Sequence, residues 1–262
     1  MLGLVIIVVL VLTAILAPWL APDNPYAVTL AGRLQPPSNG HLLGTDELGR
    51  DILSRLIYGA RVELWVGIVT VALSGLIGVT GGLVAGYLGG HWDTLIMRVV
   101  DIFLAFPVII LAIAIVAVRG PGLTNVLIAL ALVYWTTYAR VVRSVVLTIR
   151  EEEYTWAART LGATPLRIMF RHLLPNTLAP LLVLGSLGMG NAILSEAALS
   201  FLGLGIQPPE ASWGSMLNFG MQFLRNASFL STWPGLAIFV TVLGFNLLGD
   251  GLRDALDPRL RT

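Results

Sequence analysis

The residue types best suited to chemistry are few in this sequence and stand far apart. The three histidines lie at positions 41, 91 and 172, and no His-Glu-x-x-His pair is present. No Gly-x-Ser-x-Gly elbow prepares a serine nucleophile, and Gly203 and Gly205 do not complete a dinucleotide fingerprint. The sequence therefore predicts no catalytic residue and no metal site, and it indicates a protein that is not an enzyme.

Two reactive residue types are absent. The sequence has no cysteine, and all 16 of its basic Lys and Arg residues are arginine. The first absence excludes disulfides, thiol chemistry and cysteine-ligated metals. The second excludes a Gly-x-x-x-x-Gly-Lys phosphate loop and a Schiff-base lysine. An all-arginine chain is also what a GC-rich genome produces, but the consequence is the same: if ATP drives this protein, another subunit must bind the ATP.

Some ionisable residues lie inside apolar stretches, where such residues are functional candidates by default. Arg98 and Asp101 are three residues apart, so they share a helix face, and we expect a structural pair near the membrane surface rather than an ion relay. Glu63 begins an apolar stretch and is expected at the interface. Glu196 has two open interpretations, a capping or pairing role and a position on a translocation path.

The most polar segment, 151–176, lies between two long apolar stretches and predicts two short amphipathic helices. Acidic residues open the first helix, where they suit the helix dipole, and Gly162 is a natural C-terminal stop. Thr164 can cap the second helix, with Pro165 at its first position and Pro175 at its end. The apolar stripes have helical spacing and consist of Tyr154, Ala157, Ala158 and Leu161, then Leu166, Met169, Phe170 and Leu173.

The composition places these segments in a membrane. Hydrophobic residues make up 56% of the chain and charged residues 12%, against about 25% charged in ordinary soluble domains. A net charge of +1 does not suit nucleic-acid binding. Spanning a bilayer takes about 20 mostly apolar residues per helix. We predict an all-α integral membrane protein with six such helices, at roughly 2–20, 62–88, 96–118, 123–142, 177–200 and 232–250.

The first apolar segment resembles a signal peptide, but no basic residue precedes it, so we predict a retained helix. Met1 stands almost inside the membrane, which suggests a short or trimmed N-terminal tail. Arginines are more numerous in segments that would be cytoplasmic if the N-terminus is inside. The positive-inside rule therefore predicts that both termini are cytoplasmic.

Two long segments would face outward. Residues 21–61 form an external loop that becomes helix-like from Asp46 to Tyr58, and residues 201–231 form a re-entrant or surface loop. In the second loop, Trp213 and Phe219 are candidate contacts for an external protein, although aromatic anchoring at the membrane interface explains them equally well. Glycines at positions 78, 82, 86 and 90 predict close helix packing, with a glycine-lined solute path as the alternative.

The polar insert resembles the cytoplasmic signature loop of binding-protein-dependent ABC importer permeases. The family pattern is Glu-Ala-Ala, three residues, Gly, nine residues and Ile-x-Leu-Pro. Trp156 stands where the family usually has glutamate, and His172 where it has isoleucine; Glu153, one turn earlier, is a candidate substitute for the glutamate. The matching positions are Ala157, Ala158, Gly162, Leu174 and Pro175.

Two further segments indicate which branch of this permease family the chain resembles. Residues 41–61 are similar to the outer segment of dipeptide, oligopeptide and nickel permeases, and residues 195–214 resemble their second-permease, or C-type, subunit. The resemblance implies a type-I permease fold, with a permease domain at 62–250, an added first helix at 1–20 and a cytoplasmic tail at 251–262.

The resemblance also implies a function. Such a permease works in the cytoplasmic membrane of a bacterium or archaeon and transports solute by alternating access. It pairs with a homologous second permease as a heterodimer, docks on two ABC ATPase subunits that bind ATP and magnesium, and receives solute from an external substrate-binding protein. The insert would be the ATPase-coupling element, through Glu153, Tyr154, Ala157, Ala158, Leu161, Gly162, Ala163, Met169, Leu174 and Pro175.

Several alternatives stay open at this stage. The solute of this branch is a dipeptide or oligopeptide, or else nickel or another small solute. An ion-coupled secondary transporter is a second class, but it would usually show midplane charges and matched broken helices. An amphipathic insert could also lie on lipid headgroups, although such helices are usually basic. Arg98, Asp101 and Glu196 remain candidates for either the translocation path or a structural role.

Overall fold

The computed structural model describes residues 1–256, and helices make up almost all of their regular structure. An isolated bridge between Thr45 and Asp51 is the β-pairing found within these residues. The α-helices, in chain order, are α1 (Leu2–Ile15), α2 (Ala17–Leu20), α3 (Ile52–Leu88), α4 (Gly90–Leu104), α5 (Val108–Arg119), α6 (Leu123–Ile149), α7 (Glu153–Thr160), α8 (Pro165–Ile168), α9 (Leu174–Phe201), α10 (Trp213–Met221) and α11 (Phe229–Leu256).

The apolar helices confirm the all-α membrane fold. Four helical stretches are long and apolar enough to cross a bilayer: α3, α6, the continuous stretch Pro165–Phe201, and α11. Helices α4 and α5 pass the same test together as one broken span, and α1 is a shorter apolar helix. Each of the six apolar segments predicted from the sequence is thus helical, although the third one is not continuous.

The expected third helix, 96–118, is broken where α4 meets α5. The two helices are bent by 89° relative to one another. Pro107 precedes α5 directly and is its N-cap. Proline has no N–H to continue the ladder of α4, and it disfavours helical backbone at Phe106. A continuous helix through this point was therefore the wrong prediction.

Pro175 does not end the second helix of the insert, contrary to expectation. Helix α8 runs through a π-helical turn, Met169–Leu173, directly into α9. Pro175 falls in the first turn of α9, where a missing N–H is tolerated. The fifth span therefore begins within the insert, so a displacement of α8 passes into a membrane helix without an intervening loop.

Helix α3 begins earlier than residue 62. Asp51 caps it, with its carboxylate accepting a hydrogen bond from the Ser54 N–H at 2.7 Å. The expected helix from Asp46 thus starts at Ile52, after a turn in which the Asp46 N–H donates to the Arg50 carbonyl. At the other end of the chain, α11 includes part of the expected tail at 251–262, and the rest of the tail lies outside the described residues.

Glycines let the central helices approach closely. A Cβ added at Gly78, Gly82 or Gly86 would collide with α6, at Tyr138, Val142 and Val146 among others. This confirms that these three glycines serve helix packing. Gly90 does not belong to the series, because it follows the end of α3 and has a positive φ of 53°.

Candidate functional site

The polar insert folds as a helix, a tight turn and a second helix. The Thr155 hydroxyl donates to the Ile149 carbonyl at 3.0 Å and so fixes the start of α7 against the end of α6. Gly162 follows α7 with φ of +79°, and the Ala163 N–H donates to the Ala158 carbonyl at 3.0 Å. Gly162 thus adopts the left-handed backbone conformation that commonly ends an α-helix and that glycine favours. Thr164 then caps α8 as expected, accepting from the Arg167 N–H at 3.4 Å.

An apolar surface remains exposed on the insert. Leu161 at the end of α7 is 87% exposed, and Ala157 is exposed on the same helix. Neighbouring large side chains are exposed to about half their area or more, which a folded chain in isolation would normally bury. We define the insert surface as Tyr154, Trp156, Ala157, Leu161, Leu166 and Phe170.

Other expected coupling residues lie beneath the insert surface, on the side of the bundle core. Met169 is only 6% exposed and lies in a core cluster with Val142 and Leu173, so its side chain is not part of the insert surface. Ala158, Ala163 and Leu174 are partly buried and pack against the same cluster. Glu153 and Pro175 are exposed at the two ends of the insert.

Trp156, the departure from the family pattern, takes part in a stack that the sequence did not reveal. The guanidinium carbon of Arg159 lies 5.4 Å from the ring centroid of Trp156 and 5.1 Å from that of Tyr87 on α3. Cation–π contacts of this kind are worth about 0.5–1 kcal/mol at exposed sites. The aromatic residue at position 156 therefore contacts Arg159 through the face of its ring.

The two glutamates Glu63 and Glu196 meet at the end of the bundle opposite the insert. Both are fully buried, and their carboxyl groups are neighbours, because Glu63 bonds to Trp213 and Glu196 to the adjacent Ser212. Glu63 is therefore enclosed by protein, and Glu196 takes the pairing role rather than an open position on a path. Sequence reasoning missed the pair because the two residues lie on helices that are far apart in the chain.

The remaining oxygens of this carboxyl pair are held by neighbouring polar groups. Glu63 Oε1 accepts from the Trp213 N–H at 3.1 Å, and Glu196 Oε1 accepts from the Ser200 hydroxyl at 2.5 Å and the Ser212 hydroxyl at 3.1 Å. No other N–H or O–H of the described chain reaches either Oε2. Two ionised carboxylates so placed would repel one another strongly, so we expect the pair to carry one proton between them.

Trp213 is a structural residue and not an external contact. It is 2% exposed, and its indole N–H donates to the Leu56 carbonyl at 3.0 Å. The prediction that it contacts an external protein is therefore wrong. Phe219, on the same helix, is half-buried beside the Arg50–Arg55 region. Ser212 could have indicated the start of α10 from the sequence, because serine favours the N-cap position of a helix. Its hydroxyl accepts from the Ser215 N–H and so caps α10.

Charged pairs join α4 to α6 nearer the insert. Asp101 bonds to Arg140 at 2.9 Å and not to Arg98, which lies exposed on α4. The expected Arg98–Asp101 pair is thus replaced by a pair between helices. Asp93 also accepts two bonds from Arg143, at 2.5 and 2.6 Å, which the sequence did not predict.

The segment that precedes α3 carries a second charged cluster. Arg50 donates to Asp46 at 2.6 Å and to Glu47 at 3.1 Å, and burial, together with the charge of Asp46, raises the pKa of Glu47. Nearby, His41 Nδ1 lies 3.0 Å from an oxygen of Asp51 and 3.6 Å from one of Asp23. The sequence showed no histidine cluster because these partners come from separate parts of the loop.

Comparisons with known proteins agree with this architecture. Residues 78–262 match the family of binding-protein-dependent transport system inner membrane components, and residues 1–37 match the N-terminal transmembrane domain of oligopeptide transport permease C. The chain is 51% identical to the dipeptide transport system permease protein of Escherichia coli, over 99% of this chain and 88% of that protein. It is 50% identical to the corresponding protein of Alkalihalophilus pseudofirmus, over 99% of this chain and 86% of that protein.

A solved structure shares the fold. An inward-facing structure of the MetNI methionine ABC transporter superposes with a TM-score of 0.62 at 22% identity, covering 79% of this chain and 98% of that one. At this identity the likeness concerns the fold alone. The chain therefore belongs to the binding-protein-dependent transport system inner membrane components, the permease subunits of ABC importers.

Proposed function

We propose that this chain is a permease subunit of an ATP-driven importer of dipeptides or oligopeptides. The observation that carries the proposal is the identity of about half of all residues, along nearly the whole chain, to permeases of dipeptide transport systems. The chain supplies the route through the membrane, and separate subunits hydrolyse ATP. Nickel or another small solute is the second candidate, because peptide and nickel permeases of this branch share the outer sequence segment.

The insert surface is the proposed ATPase-docking element. Ala157 and Gly162 are small and permit close approach, while Tyr154 and Leu161 project far enough to fill pockets on a partner. Met169 and Leu174 join this element to the bundle core. Since α8 continues into α9, a tilt imposed on the insert would move a membrane helix as a rigid body and change access to the path.

The proposed assembly has a second, homologous permease as heterodimer partner, two ATPases below and an external binding protein above. We place both termini and the insert on the cytoplasmic side of a bacterial cytoplasmic membrane, because arginines are concentrated in the insert and near it. The permease domain would then extend from α3 to α11, with the first helix packed against α11 as an addition.

The test is to co-express the chain with the products of its neighbouring genes and to measure ATP hydrolysis with and without binding protein loaded with dipeptides or oligopeptides. We expect the complex to contain ATPase and the loaded binding protein to stimulate hydrolysis. If nickel-loaded binding protein stimulates ATP hydrolysis and peptide-loaded binding protein does not, the solute is nickel rather than a peptide. A chain that recruits no ATPase from its neighbouring genes would contradict the proposed assembly.

A further inference from the structure

Three side chains of types that bind metal ions meet just before α3. They come from separate points of the segment between α2 and α3, and they are Asp23, His41 and Asp51. His41 Nδ1 lies 3.0 Å from Asp51 Oδ1 and 3.6 Å from Asp23 Oδ2, and the three atoms all lie within 4.8 Å of one another. Around a tetrahedral zinc ion with bonds of about 2.0–2.2 Å, neighbouring ligand atoms are about 3.4 Å apart. The observed spacing is therefore close to that of a zinc site with three protein ligands.

Hydrogen bonds from neighbouring groups hold the three positions in place. The N–H and the hydroxyl of Ser54 both donate to Asp51 Oδ2, at 2.7 and 2.8 Å, so that Oδ1 remains for His41. The same Ser54 oxygen accepts from the Asp23 N–H at 3.0 Å. The His41 carbonyl accepts from the Gly44 N–H at 2.9 Å, which fixes the loop that carries the imidazole. Hydrogen bonds to the residues around a metal orient its ligands and strengthen binding.

The charge of the cluster favours a cation. Within residues 1–256, no arginine pairs with Asp23 or Asp51, because the nearby Arg50 and Arg55 pair with other carboxylates. The side chain of Asp51 has no exposed area, so its negative charge needs a counter-charge close by. Two carboxylates carry two negative charges, whereas the imidazole of His41 supplies at most one positive charge. A divalent ion would neutralise both carboxylates.

The cluster is also accessible to ions from water. The side chain of Asp23 is 50% exposed and that of His41 is 30% exposed. An ion can therefore enter without unfolding the segment, and a water molecule can take the fourth position, as it does in zinc sites with three protein ligands. An imidazole ligand suits zinc, whereas magnesium and calcium prefer sites made of oxygen alone.

We propose that Asp23, His41 and Asp51 bind one Zn²⁺ ion through His41 Nδ1 and one oxygen of each aspartate. The ion takes the place of a proton on Nδ1, which is released to solvent, because only the unprotonated nitrogen can bind a metal. It joins the chain after α2 to the N-cap of α3 and so closes the loop between them. The site is independent of the proposed transport function, and it departs from the expectation of no metal site that the sequence spacing suggested.

The test measures Zn²⁺ binding to the full-length chain, purified in detergent without a polyhistidine tag. Equilibrium dialysis against buffered free Zn²⁺, followed by elemental analysis, gives the stoichiometry and the affinity. We expect one Zn²⁺ per chain, and we expect Asp23→Asn, His41→Asn and Asp51→Asn each to weaken binding at least about 10-fold. Asparagine keeps a hydrogen-bonding group at each position and is a favoured N-cap, so the variants should fold.

Two variants elsewhere in the chain are matched controls. His91 is exposed on α4 and Asp250 is exposed on α11, so His91→Asn and Asp250→Asn remove the same side-chain types from the surface. Both should bind Zn²⁺ as the wild type does. Gel filtration and thermal unfolding without Zn²⁺ should give the same result for all five variants, which separates loss of the site from loss of the fold.

Three results would overturn the inference. The first is a wild-type chain that binds no Zn²⁺ at micromolar free concentrations, in which case His41 holds a proton between the two aspartates. The second is a loss of affinity in the control variants as large as that in the cluster variants, which would show adventitious binding to the surface. The third is displacement of Zn²⁺ by equal concentrations of Mg²⁺ or Ca²⁺, which would exclude a site that prefers zinc.

Discussion

At the scale of single residues, the Glu63–Glu196 pair is the most constrained feature. It joins α3, α9 and the start of α10 through two buried carboxyl groups, and among residues 1–256 no Arg or His pairs with either. One proton converts the repulsion between them into a hydrogen bond. The pair thus explains why two acidic residues are found where the chain is otherwise apolar, without assigning them to ion transport.

Substitutions of Glu196 should show whether the proton is shared. Glutamine supplies an N–H to Glu63 in place of the proton, so Glu196→Gln should change the free energy of unfolding by less than about 1 kcal/mol. Glu196→Ala removes the group beside Glu63 Oε2 and the acceptor of the Ser200 and Ser212 hydroxyls, and should cost about 3 kcal/mol. Thermal unfolding of the purified complex in detergent measures both. Equal losses for the two variants would contradict the shared proton.

Gly162 permits a second test at this scale. Its φ of +79° is strained for a β-branched residue, whereas a Cβ there meets no atom within 4 Å. Gly162→Val should therefore disturb the turn through the backbone alone, at a cost of about 1–2 kcal/mol, and reduce the ATPase that co-purifies. Gly162→Asn is the control, because asparagine tolerates this conformation. Full co-purification of the valine variant would show that the turn geometry is dispensable.

At the scale of elements, α3 and α6 pack along a line of glycines. Gly82→Val would force a side chain against Val142 and the Ala139 carbonyl. Overpacking of this kind costs about 1–3 kcal/mol or more, so we expect much less folded permease in the membrane fraction. Gly75→Val is the matched control on α3, because a Cβ there meets nothing within 4 Å. A Gly82 variant as abundant as the control would refute this packing.

Helix α7 can be tested without unfolding the bundle. Ala157 is exposed, so Ala157→Arg should leave the permease folded while a long cation keeps a docked partner away. We expect ATP-driven uptake to fall at least tenfold, with the permease present in normal amount. Ala157→Ser is the control of similar size. Uptake that is unchanged in the arginine variant would remove α7 from the proposed docking element.

At the scale of the whole molecule, apolar length and turn chemistry predicted most of the architecture. The six apolar segments are helical, and Gly162, Thr164 and Pro165 occupy the positions expected of a stop, a cap and a first helical residue. These features depend on neighbouring residues, so a single sequence carries them. The helix break at Pro107 could also have been predicted, because proline interrupts a helix. It was missed because the apolar run around Pro107 is long enough for one continuous span.

The missed features depend on partners that are distant in the chain. The Glu63–Glu196 contact, the Asp101–Arg140 pair and the stack on Arg159 each join different helices. Their residues carry no local sign of the partner, so charge and spacing alone suggested an interfacial Glu63 and an Arg98–Asp101 pair. Which helices become neighbours is decided by packing of the whole bundle, and these contacts follow from it.

The carboxyl pair also makes the two ends of the bundle unequal in stiffness. At its end, α3, α9 and α10 are joined by fully buried bonds that neither water nor salt can reach. At the insert end, the Asp101–Arg140 pair is more than half exposed, and solvent screens such a pair strongly. We therefore expect α4 to separate from α6 near Arg140 more readily than α3, α9 and α10 separate at the other end. Amide hydrogen exchange should be slow around Glu63 and faster toward Arg140.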